Sequence, residues 1–215
     1  MTSLPSSLCV ICDADVCERA GWTLADYAAA CLDGGARFLQ VRAKHAAARW
    51  LLDTTIAIVQ RAGPAGALVM VNDRADLALL AGAGGVHVGQ EDLAPASVRL
   101  IAGPEAVVGL STHTPEQCEA ASREPVSYIA VGPVFGTLTK STGYEPVGLA
   151  HVRRAAAHAS ARGVPIVAIG GISLERARPV IEAGARSVAV ITDILATGDP
   201  AKRVEQFLLA LGETR

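Results

Sequence analysis

The feature that most constrains this chain is an alternation sustained from end to end: short apolar, β-rich runs separated by longer Ala- and Leu-rich stretches. The runs are Leu8–Cys12, Phe38–Val41, Leu68–Val71, Gly85–Val88, Val107–Leu110, Tyr128–Val131, Ile166–Ile169 and Ser187–Val190. Helical periodicity marks Leu24–Asp33, Arg49–Arg61, Arg74–Ala81, Pro115–Ser122, Val152–Ala161 and Leu174–Glu182 between them. Eight strands alternating with helices point to an α/β fold with a closed parallel sheet, a (β/α)₈ TIM barrel. The rival is a doubly wound open sheet. Strand count, and the lack of a Gly-x-Gly-x-x-Gly turn after the first strand, weigh against it.

Composition fits that frame. The chain has 215 residues, compact for one barrel, and 51% of them are hydrophobic, enough for a sizeable core. No linker or low-complexity segment interrupts it, so residues 1–215 read as a single barrel domain. Local punctuation agrees: Thr114-Pro115-Glu116-Gln117 reads as an N-cap, a first-turn proline and a capping-box glutamine. Pro179 falls inside the Leu174 helix, where it should kink the helix or shorten its first turns.

A formal net charge of −2 gives no reason to expect nucleic acid or an anionic membrane as partner. No apolar run is long enough to span a bilayer, and Met1 to Cys12 lacks the pattern of a signal peptide. A cytoplasmic location is the default expectation, and self-association into a homo-oligomer is left open. Cys9, Cys12 and Cys17 have the spacing of part of a zinc site, but no second Cys-x-x-Cys closes it. Structural thiols are the better reading for all five cysteines, which also include Cys31 and Cys118.

In a barrel the chemistry sits where strands end. After the second run, Gln40, Arg42 and Lys44 share one face by period-two alternation, while Leu39 and Val41 take the other. The polar set should point into the mouth as a donor-rich row for a phosphate or pyrophosphate. The third run ends Asn72-Asp73 and the fourth leads through Gln90-Glu91-Asp92. Neighbouring strands lie about 4.8 Å apart, so Asp73 and Asp92 can reach one point above the rim. Two such carboxylates suit Mg²⁺, with Glu91 as a substitute ligand; a helix-capping role for Asp73 is the alternative.

The fifth run ends Ser111-Thr112-His113, a set of hydroxyls for phosphate or an ordinary polar turn. Between Gly132 and Pro146, residues Thr137, Thr139 and Lys140 read as a lid closing on an anion, or as a polar loop. Gly170-Gly171 and Ile191-Thr192 follow the seventh and eighth runs, where backbone N–H groups commonly form a phosphate cup. Glycine there should permit close approach to the phosphate. His87 and His113 show no ligand spacing and read as core or cap residues. The rim thus offers two anion sites, able to join two phosphorylated substrates.

Taken together, Gln40-Val41-Arg42-Ala43-Lys44, Val71-Asn72-Asp73 and Gly85–Asp92 resemble the thiamine phosphate synthase family. So do Ser111–Thr114, Val131–Phe135 through Lys140, and Ala168–Ile172. The resemblance spans nearly the whole chain. It implies coupling of a hydroxymethylpyrimidine diphosphate with a hydroxyethylthiazole phosphate, giving thiamine phosphate and pyrophosphate. By the family's pattern Gln40, Arg42, Lys44, Asn72, Ser111 and Lys140 border the pyrimidine diphosphate, and Asp73 and Asp92 hold Mg²⁺. Thr137, Thr139, Gly171, Ile191 and Thr192 receive the thiazole phosphate. The catalytic burden then falls on Arg42, Lys44, Lys140 and Ser111. Thr192 stands where serine is usual, Leu138 where proline is common, and Cys9 where an aromatic is usual.

The implied mechanism stabilises departing pyrophosphate with metal and cations, after which the thiazole nitrogen attacks the pyrimidine methylene. That nitrogen carries no proton, so no general base is required. The rivals are a relative that only isomerises thiazole phosphates, a non-catalytic phosphate-binding protein, and a phosphosugar-type barrel enzyme.

Overall fold

A computed structural model of the chain describes residues 4–136 and 143–213. The strands are β1 (Leu8–Asp13), β2 (Phe38–Arg42), β3 (Leu68–Asn72), β4 (Gly85–Val88), β5 (Val107–Thr112), β6 (Tyr128–Val131), β7 (Ile166–Ile169) and β8 (Ser187–Val190). Each pairs in parallel with its sequence neighbours, and β8 returns to β1 through Leu8↔Val188 and Val10↔Val190, so the barrel closes. The helices are α1 (Ala14–Arg19), α2 (Leu24–Asp33), α3 (Ala48–Ala62), α4 (Ala75–Ala81), α5 (Pro95–Ala102), α6 (Pro115–Ala121), α7 (Gly148–Ser160), α8 (Leu174–Glu182) and α9 (Pro200–Ala210).

Several strands extend beyond their apolar runs, and the added residues are polar. β1 gains Asp13, β2 gains Arg42, β3 gains Asn72, and β5 gains Ser111 and Thr112. Apolar patterning ends where the core ends, whereas the parallel ladder carries on to the mouth. Helix α8 runs unbroken across Pro179, so the expected shortening does not occur. Proline there removes one backbone donor, while Ala177 and Val180 keep the helix buried against the barrel. Helix α1, six residues long, is too short to show the periodicity that marks the others.

Two apolar clusters confirm the period-two reading. Leu39, Val41, Val69, Val71, Val86 and Val88 face outward into the layer packed by the helices. Cys9, Ile11, Phe38, Met70, Tyr128 and Val167 fill the barrel interior. Phe38 and Tyr128 meet edge to face at 5.9 Å, an arrangement whose loss to alanine typically costs about 3–5 kcal/mol per ring. Gly109 makes room for Tyr128: a Cβ there would lie 2.1 Å from the ring's Cζ. At the opposite end from the mouth, Glu213 accepts hydrogen bonds from Ser6 Oγ, Ser7 N and Ser7 Oγ at 2.6–2.8 Å, tying the two chain ends together.

No described helix is long and apolar enough to cross a membrane. All five cysteines are buried with free thiols. Burial pushes the Cys17 and Cys31 thiols up to about 12, so they stay protonated and pack as small hydrophobes.

Candidate active site

The mouth of the barrel holds two cavities. The first, of about 560 Å³, lies over β6, β7 and β8, lined by Gly132, Ile169, Gly171, Ile191, Thr192 and Arg19 among others. The second, of about 320 Å³, lies over β3 and β4, lined by Lys44, Asn72, Asp73, Gln90, Glu91 and Asp92 among others. Ser111 and His113 line both, so the two spaces meet at the end of β5. Beneath them a smaller well runs into the barrel, bordered by Gln40, Arg42, Asn72, His87, Ser111 and Tyr128.

The second cavity is built from side chains. Asp73 is the described non-glycine residue held at positive φ, 65°, a conformation that costs about 1–2 kcal/mol and needs support from its surroundings. Its N–H donates to the His87 carbonyl at 2.8 Å, pinning the β3 end to β4. Its carboxylate lies 3.0 Å from Lys44 Nζ and within hydrogen-bonding reach of Asp92. Partial burial raises the Asp73 pKa; Lys44 opposes the rise and the neighbouring Asp92 carboxylate adds to it. Asp92 Oδ2 in turn accepts the Gly89 N–H at 2.8 Å, which fixes its direction.

Two facing carboxylates that disfavour each other's charge form an all-oxygen donor set which a hard divalent cation would relieve. Among the described residues no group of three or more His, Cys, Asp or Glu side chains could hold a metal ion. Two carboxylates alone could hold such an ion only with water and substrate oxygens completing the shell.

The donor-rich row is pre-paired. Gln40 is buried inside the barrel, close enough to Tyr128 to hydrogen-bond its hydroxyl. Arg42 Nη1 donates to Asp13 Oδ2 in a close ion pair, with Asp13 only 4% exposed. Asp13 also caps α1, accepting the Val16 N–H at 3.1 Å. Both cations of the row thus have a carboxylate partner, and their directions are set before any ligand arrives. Asp13 was readable as a charged residue ending an apolar run at a strand's C-terminus, a position that in barrels reads as functional.

His87 is buried in β4, as its core reading expects, and it also carries hydrogen bonds. Its Nδ1 shares a hydrogen bond with Tyr128 Oη and its Nε2 with Ser111 Oγ, both 2.8 Å, and the ring stacks on Tyr128 at 5.6 Å. Burial holds the Tyr128 phenol protonated. A chain Gln40–Tyr128–His87–Ser111 therefore crosses the well and sets the Ser111 hydroxyl at the junction. His113 donates from Nδ1 to the Gly132 carbonyl at 2.7 Å and stacks on Tyr144 at 4.3 Å.

The first cavity is lined mostly by glycines and small or apolar residues. Gly170 and Gly171 sit at φ 103° and 62°, and their lack of side chains serves the packing of the turns. A Cβ on Gly170 would lie 2.5 Å from Pro133 Cα, and one on Gly171 would lie 2.5 Å from the Gly136 carbonyl oxygen. The two glycines also let the β7 turn nest against the β6 turn. Gly171, Ile191 and Thr192 line this cavity together. Thr192 opens a 3₁₀ turn, Thr192–Leu195, at the end of β8. Thr137, Thr139 and Lys140 lie outside the described residues, as does Leu138.

With this geometry in view, comparison with known proteins is specific. Residues 8–194 match the family described as thiamine monophosphate synthase. A thiamine-phosphate synthase of Koribacter versatilis (strain Ellin345) is 46% identical over 189 residues, covering 88% of this chain and 87% of that protein. Another, of Chlorobium luteolum (strain DSM 273 / BCRC 81028 / 2530), is 37% identical over 208 residues, covering 97% and 94%. The solved structure of thiamine phosphate pyrophosphorylase from Pyrococcus furiosus superposes with a TM-score of 0.85 at 30% identity, covering 96% of this chain and 95% of that one.

Proposed function

The chain belongs to the thiamine monophosphate synthase family, and from that premise we propose that its two cavities hold the two halves of thiamine phosphate while they are joined. The protein is a transferase that couples a pyrimidine to a thiazole. In this reading 4-amino-5-hydroxymethyl-2-methylpyrimidine diphosphate occupies the polar cavity and the well beneath it. Hydroxyethylthiazole phosphate occupies the larger cavity. The observation that carries the reading is their meeting at Ser111 and His113: two ligands seated there would face each other across one hydroxyl and one ring.

Gln40 and Asn72 border the well in which the pyrimidine would sit, and Ser111, held by His87, would bond it at the junction. Arg42 and Lys44 supply positive charge on the diphosphate side, oriented by Asp13 and Asp73. Lys140 is proposed to join them, with Thr137 and Thr139 on the thiazole phosphate beside Gly171, Ile191 and Thr192. Asp73 and Asp92 would hold Mg²⁺. When bound, that ion supplies charge neutralisation for the leaving pyrophosphate.

The C–O bond between the pyrimidine methylene and the diphosphate breaks, and the electron pair leaves with pyrophosphate. The thiazole nitrogen then donates its lone pair to the methylene carbon, forming the C–N bond and a thiazolium. No proton moves in that step. Catalysis consists of placing the nitrogen and stabilising the leaving group. A thiazole isomerase would have no use for paired carboxylates beside Lys44 at a second anion site.

The deciding experiment is pyrophosphate release by purified protein given both substrates, with and without Mg²⁺. Release requiring both substrates and metal, matched by thiamine phosphate, is the expected result. Binding of thiazole phosphate without release would instead favour the isomerase or non-catalytic reading.

A further inference from the structure

Arg19 ends α1, the six-residue helix that follows β1, and it lines the larger cavity. Because β1 pairs with β8, α1 rises beside the β8 end, where Ile191 and Thr192 also line that space. Among the described residues Arg19 has no ion-pair partner, unlike Arg42, Lys44 and Arg203. The other charged residue on this wall, Asp193, is already neutralised: Arg203 donates to its Oδ2 from Nε at 3.0 Å and from Nη2 at 2.7 Å. At the α8 end of the cavity, Ser173 Oγ donates to the Glu175 carboxylate at 2.8 Å. The cation at that end, Arg176, is committed to the Gly171 carbonyl at 2.9 Å and to the face of Phe135, and it does not line the cavity, which leaves Arg19 as the unpaired guanidinium on its wall among the described residues.

We infer that Arg19 is the residue that selects the phosphate ester of the thiazole partner, reaching across from α1 to an anion seated over the ends of β7 and β8. This rests on the proposed function and names the group that would distinguish the phosphorylated thiazole from its alcohol. A guanidinium fits the task because its planar fork can donate to two phosphate oxygens at once. Arg19 is itself exposed, so no core packing depends on it. The competing explanation is local: a basic residue in a helix's last turn stabilises the carbonyl end of that helix without touching any ligand.

The test uses the purified full chain with Arg19→Ala, Arg19→Gln and Arg19→Lys. Steady-state rates are measured with the thiazole phosphate and with the same thiazole carrying a free hydroxyl. Arg19→Ala and Arg19→Gln should raise KM for the thiazole phosphate about ten- to a hundredfold, the usual worth of a charge-assisted bond. KM for the pyrimidine diphosphate should stay unchanged, and Arg19→Lys should recover part of the loss. With the alcohol, wild type and variants should give the same KM. Equal losses with phosphate and alcohol would overturn the inference. So would a lowered melting temperature with both KM values intact, which would assign Arg19 to the helix end. If the wild type forms no thiamine phosphate, the functional reading fails, yet calorimetric titration of thiazole phosphate into wild type and Arg19→Ala still decides. Weaker binding to the variant supports Arg19 as an anion contact, and equal binding overturns it.

Discussion

The half of the mouth fed by β1 to β4 and the half fed by β6 to β8 are built from different materials. On the first, Asp13, Arg42, Lys44, Asp73 and Asp92 form a web of opposed charges, and the neighbouring backbone serves to aim them. On the second, the turns after β6 and β7 interlock through positive-φ glycines, and the lining is chiefly glycine and small or apolar residues. Charged webs tolerate little substitution but can be re-aimed, because each partner holds the other. Interlocked turns tolerate no added atoms, yet their donors are set by the backbone and survive changes in side-chain type. A site that must stabilise growing charge on one ligand while merely holding the other gains from placing the web on the first side.

The sharpest way to break this contrast is to remove the carboxylate at the centre of the web. Asp73→Ala should lower turnover by about 10²–10³-fold at saturating substrates, the scale seen when a group stabilising transition-state charge is deleted. Added Mg²⁺ should not rescue it. KM for the thiazole phosphate should hardly move, because the first cavity is left intact. A comparable rise in that KM would show that the two halves are not independent.

Asp13→Asn comes next. It leaves Arg42, only 18% exposed, without its charge partner. Breaking a buried pair from one side commonly costs about 3–5 kcal/mol, and asparagine can still cap α1, so the loss should fall at the lower end. Denaturant melts should show it, together with a fall in turnover that increasing pyrimidine diphosphate does not repair. Gly171→Ala tests the other half. Its Cβ would meet the Gly136 carbonyl at 2.5 Å from a backbone already at φ 62°, so the β6 and β7 turns must separate. A stability loss of about 1–3 kcal/mol should accompany a higher KM for thiazole phosphate alone. A fall in turnover with that KM unchanged would mean the turns serve the chemistry rather than the seat.

The two halves also differed in how far their sequence could be read. Gln40, Arg42, Asp73 and Asp92 stand out because charged or amide side chains at strand ends have no reason to be there in a core. Period-two alternation places Gln40 inward without any structure. What alternation cannot give is pairing. That Arg42 is held by Asp13, or Ser111 by His87 and Tyr128, depends on contacts between strands far apart in sequence. Tyr128 in particular reads as an ordinary start of an apolar strand. Its hydroxyl matters only because Gly109 opens the space beside it. Gly170 and Gly171 are visible as glycines, but their packing against Pro133 and Gly136, on another strand's turn, is not. Arg19 was invisible because α1 is shorter than two helical turns and shows no period.

The smallest expected effect bears on the web itself. Burial, reinforced by Asp92, raises the Asp73 pKa above its unfolded value against the pull of Lys44. A carboxyl with a raised folded pKa binds its proton more tightly in the native state. Its contribution to stability is full below the unfolded pKa, near pH 4, and is lost as pH rises through the folded pKa. In metal-free buffer the wild type should therefore lose stability over that window relative to Asp73→Asn, whose amide has no proton to lose. Added Mg²⁺ should reverse the trend, since the ion binds the ionised pair and its hold strengthens as Asp73 deprotonates. Melting curves taken across acid pH, with and without Mg²⁺, would read both signs. Were wild type and Asp73→Asn to run parallel in both buffers, Asp73 would keep an ordinary pKa. The facing carboxylates would then not be the strained pair on which the metal assignment depends.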